Sequence, residues 1–240
     1  MYNISLYNIR KNSTLKKMST NKRYGPHNQM LISFLIGSLL GDGQARKGYN
    51  TKSGKGTIFT FSQGEKNKEY LLWQYDFLKK HGLCSDTLPK KENINNTSKY
   101  KYNFYTIKHT TLDFMFDAFY KNKITSNGYI KGIYNKDYIF NNFNELSLAI
   151  WLMDDGTKQG KHIKFCTDNF TKEDVVFLQN ILKIKFNLNT TTHFAGNYDK
   201  EGNIKYNQYR IYIKANSMTK LIDIITPYIH SSMLYKINFK

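Results

Sequence analysis

The chain has 240 residues, 15% of them aromatic, with three Pro and two Cys. This excludes a disordered or collagen-like chain, a disulfide framework and a four-Cys zinc site. Thirty-six Lys and Arg against 18 Asp and Glu give +18 at neutral pH, a self-repulsion that a polyanionic partner relieves and that points to nucleic acid. Lys, Asn, Ile, Tyr and Phe are all abundant, as in an AT-biased gene, and only four of the basic residues are Arg. No apolar run approaches 18 residues, so no membrane helix is expected. Six His (27, 81, 109, 162, 193 and 230) show no metal-ligand spacing.

Residues 1–27 carry six basic residues, no acid and little apolar periodicity, and are expected to be a mobile basic tail. The first helix is predicted over 29–41. On it Ser33, Gly37 and Gly41 fall at i, i+4 and i+8, one face of small residues that lets another backbone approach closely. Two helical glycines cost about 1 kcal/mol each against Ala, and tight helix packing is the natural compensation. A hairpin region over 47–56 leads to a strand over 57–63 and a helix over 67–81. Strands are predicted over 84–90 and 99–108, and a short helix over 111–120.

A second helix of the first kind is predicted over 145–155. Both end in an acid followed by glycine: Gly41-Asp42-Gly43 and Asp154-Asp155-Gly156. A carboxylate at a helix C-terminus faces the negative end of the dipole. The same unfavourable charge in two matched places points to a cation ligand. After it come a strand over 161–166, a helix over 172–186, a hairpin of 190–198 with 205–214, and a helix over 217–229. The element order therefore repeats. Asp42 and Asp155 lie 113 residues apart. His81-Gly82-Leu83 matches Phe186-Asn187-Leu188 at offset 105, Gln63 falls on Asp168 at that same offset, and Met115-Phe116-Asp117 matches Leu221-Ile222-Asp223 at 106. Charge is uneven between the copies: 1–141 holds 23 basic and 9 acidic residues, 142–240 holds 13 and 9.

Leu35-Ile36-Gly37-Ser38-Leu39-Leu40-Gly41-Asp42-Gly43 and Leu148-Ala149-Ile150-Trp151-Leu152-Met153-Asp154-Asp155-Gly156 resemble the paired motifs of LAGLIDADG homing endonucleases. Pro227-Tyr228-Ile229 followed by Ser232-Met233-Leu234-Tyr235-Lys236 resembles the single-chain, two-motif branch encoded by organellar group I introns. The likeness covers about 28–240. It implies an α+β fold: two pseudo-twofold αββαββα halves (28–141 and 142–240), with the motif helices packed at the centre and antiparallel sheets forming a DNA-binding saddle. It also implies a monomer in an organelle such as the mitochondrion, cutting both strands of a long, near-asymmetric DNA site. An RNA maturase of the same fold, with intron RNA as its partner, is the alternative; retention of both acids favours the nuclease.

Phosphodiester hydrolysis develops negative charge that divalent cations stabilise, and hard oxygen ligands suit Mg²⁺, with Mn²⁺ able to substitute. The resemblance implies that Asp42 and Asp155 hold metal, each directing one strand's cleavage, and that the carbonyls of Gly41 and Asp154 complete the coordination. It implies an active-site lysine in each half. Lys236 fills this place in the second. In the first, Lys123 lies 81 residues after Asp42, as Lys236 does after Asp155. Lys131 instead matches the spacing from Asp117, and the run Lys131-Gly132-Ile133 favours it, although the family's usual proline is Tyr134 here. Gln63 and Asp168 resemble a water- or metal-positioning pair. Arg46, Lys47, Lys52, Lys90, Lys101, Lys161, Lys205 and Arg210, alternating with Tyr, Asn, Gln and Thr, are the expected contacts of the strands with DNA.

Overall fold

The structure is a computed structural model and describes residues 27–51, 54–94, 97–122, 128–201 and 203–238. The predicted tail before His27, Lys52 and Lys123 lie outside the described residues. The chain forms two compact units. One holds residues 45–113, the other residues 27–44 and 114–240.

The first unit is a four-stranded antiparallel sheet backed by a helix. Strands β1 (Gln44–Thr51), β2 (Gly54–Gly64), β3 (Lys90–Asn93) and β4 (Tyr100–Tyr105) lie in the order β1-β2-β4-β3. Register pairs Phe61 with Phe104 on the inner face, where their rings stack with centroids 4.9 Å apart. Tyr75 of the helix Lys68–Lys80 meets Phe104 edge-on. Period-2 alternation then turns Ser62 and Asn103 to the opposite face. The strand predicted over 84–90 is corrected: β3 begins only at Lys90. Pro89 has no N–H to donate, and Tyr75 Oη donates to the Ser85 carbonyl (2.7 Å), holding the segment as a loop.

The second unit is built around two helices. Helix α1 (Gln29–Leu40) is capped by Asn28, whose side chain accepts from Leu31 N–H. The Lys68–Lys80 helix of the first unit is α2. Helices α3 (Asp113–Phe119) and α4 (Lys136–Asn142) lead to α5 (Glu145–Asp155), which opens on a reciprocal capping box between Asn144 and Ser147. Every residue from Leu31 to Leu40 and from Leu146 to Met153 is buried. Such all-round burial explains why neither helix shows a one-sided apolar stripe. The small-residue face is where they meet. Ser147 Oγ donates to the Ser33 carbonyl (2.9 Å). A Cβ on Gly37 would lie 2.5 Å from the Ser147 carbonyl oxygen and 2.7 Å from Ile150 Cβ, so only glycine fits.

Strands β7 (Gly156–Gln159), β8 (His162–Phe165), β9 (Thr190–Phe194) and β12 (Tyr209–Ile213) form a second antiparallel sheet in the order β7-β8-β12-β9, the same as in the first. The predicted hairpin of 190–198 with 205–214 is present but interrupted: β10 (Asn197–Tyr198) and β11 (Ile204–Tyr206) extend it as a two-stranded ribbon. Helix α6 (Lys172–Phe186) and helix α7 (Met218–Ile225) complete the unit. The αββαββα order expects a strand before 161–166, and β7 is that strand; the small hairpin of β5 (Tyr120–Asn122) with β6 (Tyr129–Lys131), α4 and the 3-10 turns over Ser231–Lys236 lie outside the sequence expectations. Among the described residues no helix is long and apolar enough to cross a membrane. The α+β class and the repeated sheet agree with the sequence.

Candidate active site

The C-terminal ends of α1 and α5 deliver Asp42 and Asp155. A Cβ on Gly41 would collide with Asp154 Cβ, so the glycine is required by the approach of the two motif ends. Asp42 is exposed and Asp155 half-buried. Burial, and then the Asp42 charge, push the Asp155 carboxyl up to about 7, opposed by Lys131 and Lys236. The two motif acids thus lie within electrostatic reach of each other and of both lysines.

Each lysine reaches a motif end from a distant short element. Lys131, the last residue of β6, donates to the carbonyls of Gly41 and Gly43, both at 3.0 Å. Lys236, closing the 3-10 turns, donates to the carbonyls of Met153 (2.5 Å), Asp154 (3.0 Å) and Leu152 (3.4 Å). An ammonium on the carbonyls at a helix C-terminus meets the negative end of the dipole and is favourable to both. Burial lowers Lys131 to about 8 against the pull of Asp155, Asp154 and Asp42, and lowers Lys236 against the same three acids. The main-chain oxygens of Gly41 and Asp154, expected as metal ligands, are therefore hydrogen-bonded to lysines here.

Gln63 and Asp168 are not equivalent positions. Phe61 opposes Phe104 in the first sheet, and Phe165 opposes Ile211 in the second, all four buried. Counting two residues on, Gln63 corresponds to Thr167, and both are buried. A slip of one residue changes the face of a strand, so offset 105 joins residues on opposite faces. Gln63 Oε1 accepts from Asn67 Nδ2 (3.2 Å) in the first unit. Asp168 binds Arg210 through both oxygens, at 2.8 and 2.6 Å. It also lies near enough to Asp155 to oppose that group's ionisation.

The expected DNA contacts divide by environment. Arg46, Lys90, Lys161 and Lys205 are exposed. Lys90 opposes Asn103 and Lys101 opposes Glu92 on the outer face of the first sheet. Lys101 sits 3.8 Å from Glu92, and Lys47 3.5 Å from Asp113. Lys205 lies over the Tyr206 ring. On the outer face of the second sheet the sequence reading named Arg210 but missed its neighbours: Lys164 opposes Tyr212, and His193 opposes Arg210. The alternation of buried Ile163 and Phe165 around Lys164 was the available signal.

The comparisons agree with this geometry. The model of the LAGLIDADG DNA endonuclease family matches residues 32–221. The chain is 35% identical over 98% of its length to the cytochrome b mRNA maturase bI2 of Saccharomyces cerevisiae, of which it spans only 53%. It is 33% identical over 69% of its length to the intron-encoded endonuclease ai4 of Dictyostelium discoideum, covering 99% of that protein. Its fold is that of the homing endonuclease I-WcaI bound to its DNA recognition sequence, with a TM-score of 0.71 over 97% of this chain and 100% of that one at 24% identity. With packed motif helices that lead into Asp42 and Asp155, a strand order repeated in the two four-stranded sheets and a family match over most of its length, the chain belongs to the LAGLIDADG DNA endonuclease family.

Proposed function

We propose that the protein is a site-specific homing endonuclease that acts as a monomer and hydrolyses both strands of a long, near-asymmetric DNA site with a divalent cation. The observation that carries this reading is the delivery of two carboxylates, Asp42 and Asp155, by packed motif helices to within electrostatic reach of each other, with Lys131 and Lys236 bonded to the main chain of the motif ends. The repeat halves 28–141 and 142–240 would each address one half-site. An intron-encoded, organellar source fits the AT-biased composition and the intron-encoded relatives.

The donor set suits a hard cation. It offers the carboxylates of Asp42 and Asp155, while the main-chain oxygens of Gly41 and Asp154 accept from Lys131 and Lys236. Among the described residues there is no group of three or more His, Cys, Asp or Glu that could form a closed cage. Two carboxylates without a cage suit Mg²⁺, which keeps waters and shares substrate phosphates. When bound, such a cation offsets phosphoryl charge and lowers the pKa of bound water. Asp42 and Asp155 would hold it; Lys131 and Lys236 fix the motif ends and would offset the added negative charge of the phosphates. Gln63 is kept as a water-positioning group on the family resemblance.

The test is cleavage of a plasmid library with Mg²⁺, followed by sequencing of the cut ends. One recurrent site cut on both strands is expected from the intact chain. Asp42→Asn or Asp155→Asn should abolish double-strand cleavage and leave binding largely intact. Full cleavage by either variant would overturn the assignment of these acids. The second reading, an RNA maturase, is favoured by the name of the Saccharomyces cerevisiae relative. Stimulation of intron splicing in vitro, undiminished in the Asp42→Asn variant, would establish it.

A further inference from the structure

Arg210 sits on β12, on the face of the second sheet turned away from the buried Phe165–Ile211 pair. Its Nε and Nη2 each donate to one oxygen of Asp168, at 2.8 and 2.6 Å. A guanidinium has five N–H donors in a rigid fork. The side-on pair uses two of them and leaves the end-on edge, Nη1 and the second N–H of Nη2. The Arg210 side chain keeps 29% exposure and that of Asp168 27%. In the first sheet the corresponding residues are Asn103 and Gly64, so the arrangement belongs to the second sheet.

We propose that Arg210, oriented by Asp168, reads a guanine in the major groove, and that Asp168 is a positioning residue for this contact and not a metal or water ligand. The proposal rests on the DNA-binding reading above. Two features favour a base over a phosphate. A phosphate contact draws its energy from net positive charge, and Asp168 cancels that of Arg210. A base contact draws its specificity from fixed geometry, which the carboxylate supplies, and guanine O6 and N7 present two acceptors matching the end-on fork. The same face carries Tyr212 and His193, whose rings lie 4.6 Å apart, with His193 directly opposite Arg210 in the ladder.

The experiment is selection of bound duplexes from a fully randomised DNA pool by the full chain, in EDTA so that binding is read without cleavage. The wild type is expected to enrich one sequence with a guanine at a position in the half-site of the second copy. Arg210→Ala should lose that single preference, by roughly tenfold or more, and keep the others. Arg210→Lys keeps the charge but lacks the fork, and should lose the preference while retaining affinity for unselected DNA. Asp168→Asn should weaken the same preference and raise affinity for unselected DNA. Uniform loss of affinity in Arg210→Ala with every base preference intact would make it a phosphate contact and overturn the proposal. An unchanged guanine preference in Asp168→Asn would overturn the positioning role. A wild type that enriches no sequence would remove the DNA-binding reading itself, and this inference with it.

Discussion

At the scale of single residues, the chemistry of the site conflicts with its stability. Asp155 has its folded pKa raised to about 7 by burial and by Asp42. A raised carboxyl binds more protons folded than unfolded. Stability contributed by this group is therefore fully present below the unfolded value near 4 and is lost as pH rises toward 7. Asp155→Asn removes the penalty. Melting in chelator at pH 8 should show the variant more stable than the wild type, by on the order of 2–4 °C for each kcal/mol recovered, and the difference should vanish near pH 4. An equal or lower Tm at pH 8 would contradict the argument. The cysteines give a second check. Burial pushes the Cys84 thiol up to about 12, and burial also raises Cys166, which is only half-buried. With the thiolate as the reactive species, a thiol reagent at pH 8 should modify native Cys166 slowly and Cys84 more slowly still, with both reacting at once in denaturant. Prompt reaction of native Cys84 would contradict its burial.

Much of the residue-level site was legible. Asp42 and Asp155 stood out because their charge opposes the helix dipole in two matched places. Lys131 and Lys236 were not readable from local pattern. They reach the motif carbonyls across 90 and 82 residues of chain, and only the family resemblance pointed to them. The Asp168–Arg210 pair escaped notice for a different reason: a one-residue error in register puts a strand residue on the wrong face, and ungapped spacing carries no register.

At the scale of elements, helices with caps and full apolar runs were placed to within a residue or two. The short β5–β6 hairpin and the loop before β3 were not, because tertiary contacts decide them. The packing of α1 on α5 yields a prediction in which local and tertiary effects have opposite signs. Alanine is the better helix former by about 1 kcal/mol, yet a Cβ at position 37 would meet the Ser147 carbonyl at 2.5 Å. Gly37→Ala should therefore destabilise despite its propensity gain. Gly37→Leu should do so by more, since overpacking typically costs about 1–3 kcal/mol and sometimes exceeds it. Circular dichroism melting decides the sign; a raised midpoint for Gly37→Ala would mean that the helices yield at no cost.

At the scale of the whole molecule, the net charge of +18 governs association with a polyanion. Each neutralised phosphate contributes about −0.9 to the slope of log affinity against log salt. The slope of DNA binding should be steep, on the order of −5 to −10, and fluorescence anisotropy over a salt series measures it. A slope near zero would refute an electrostatic source of affinity. The Arg210 and Lys161 contacts should separate in this assay. Losing Lys161, which is exposed in the turn between β7 and β8, should reduce the slope by about 1 if it meets a phosphate. Losing Arg210, whose charge Asp168 balances, should change it less.

The burial of α1 has a consequence for how the chain is made. The face of α1 that carries Ser33 and Gly37 finds its cover on α5, more than a hundred positions later. At roughly 5–20 residues per second of synthesis, the nascent helix waits on the order of 5–20 s before its partner leaves the ribosome. Throughout that interval it is an uncharged, largely apolar segment whose Ser33–Gly37 face has no α5 to pack against. Folding of the motif pair is therefore deferred until α5 has left the ribosome, and the delay is a window for aggregation or for capture by a chaperone. A stalled ribosome or a truncated message would release this helix permanently uncovered, so the integrity of the transcript becomes a condition for solubility.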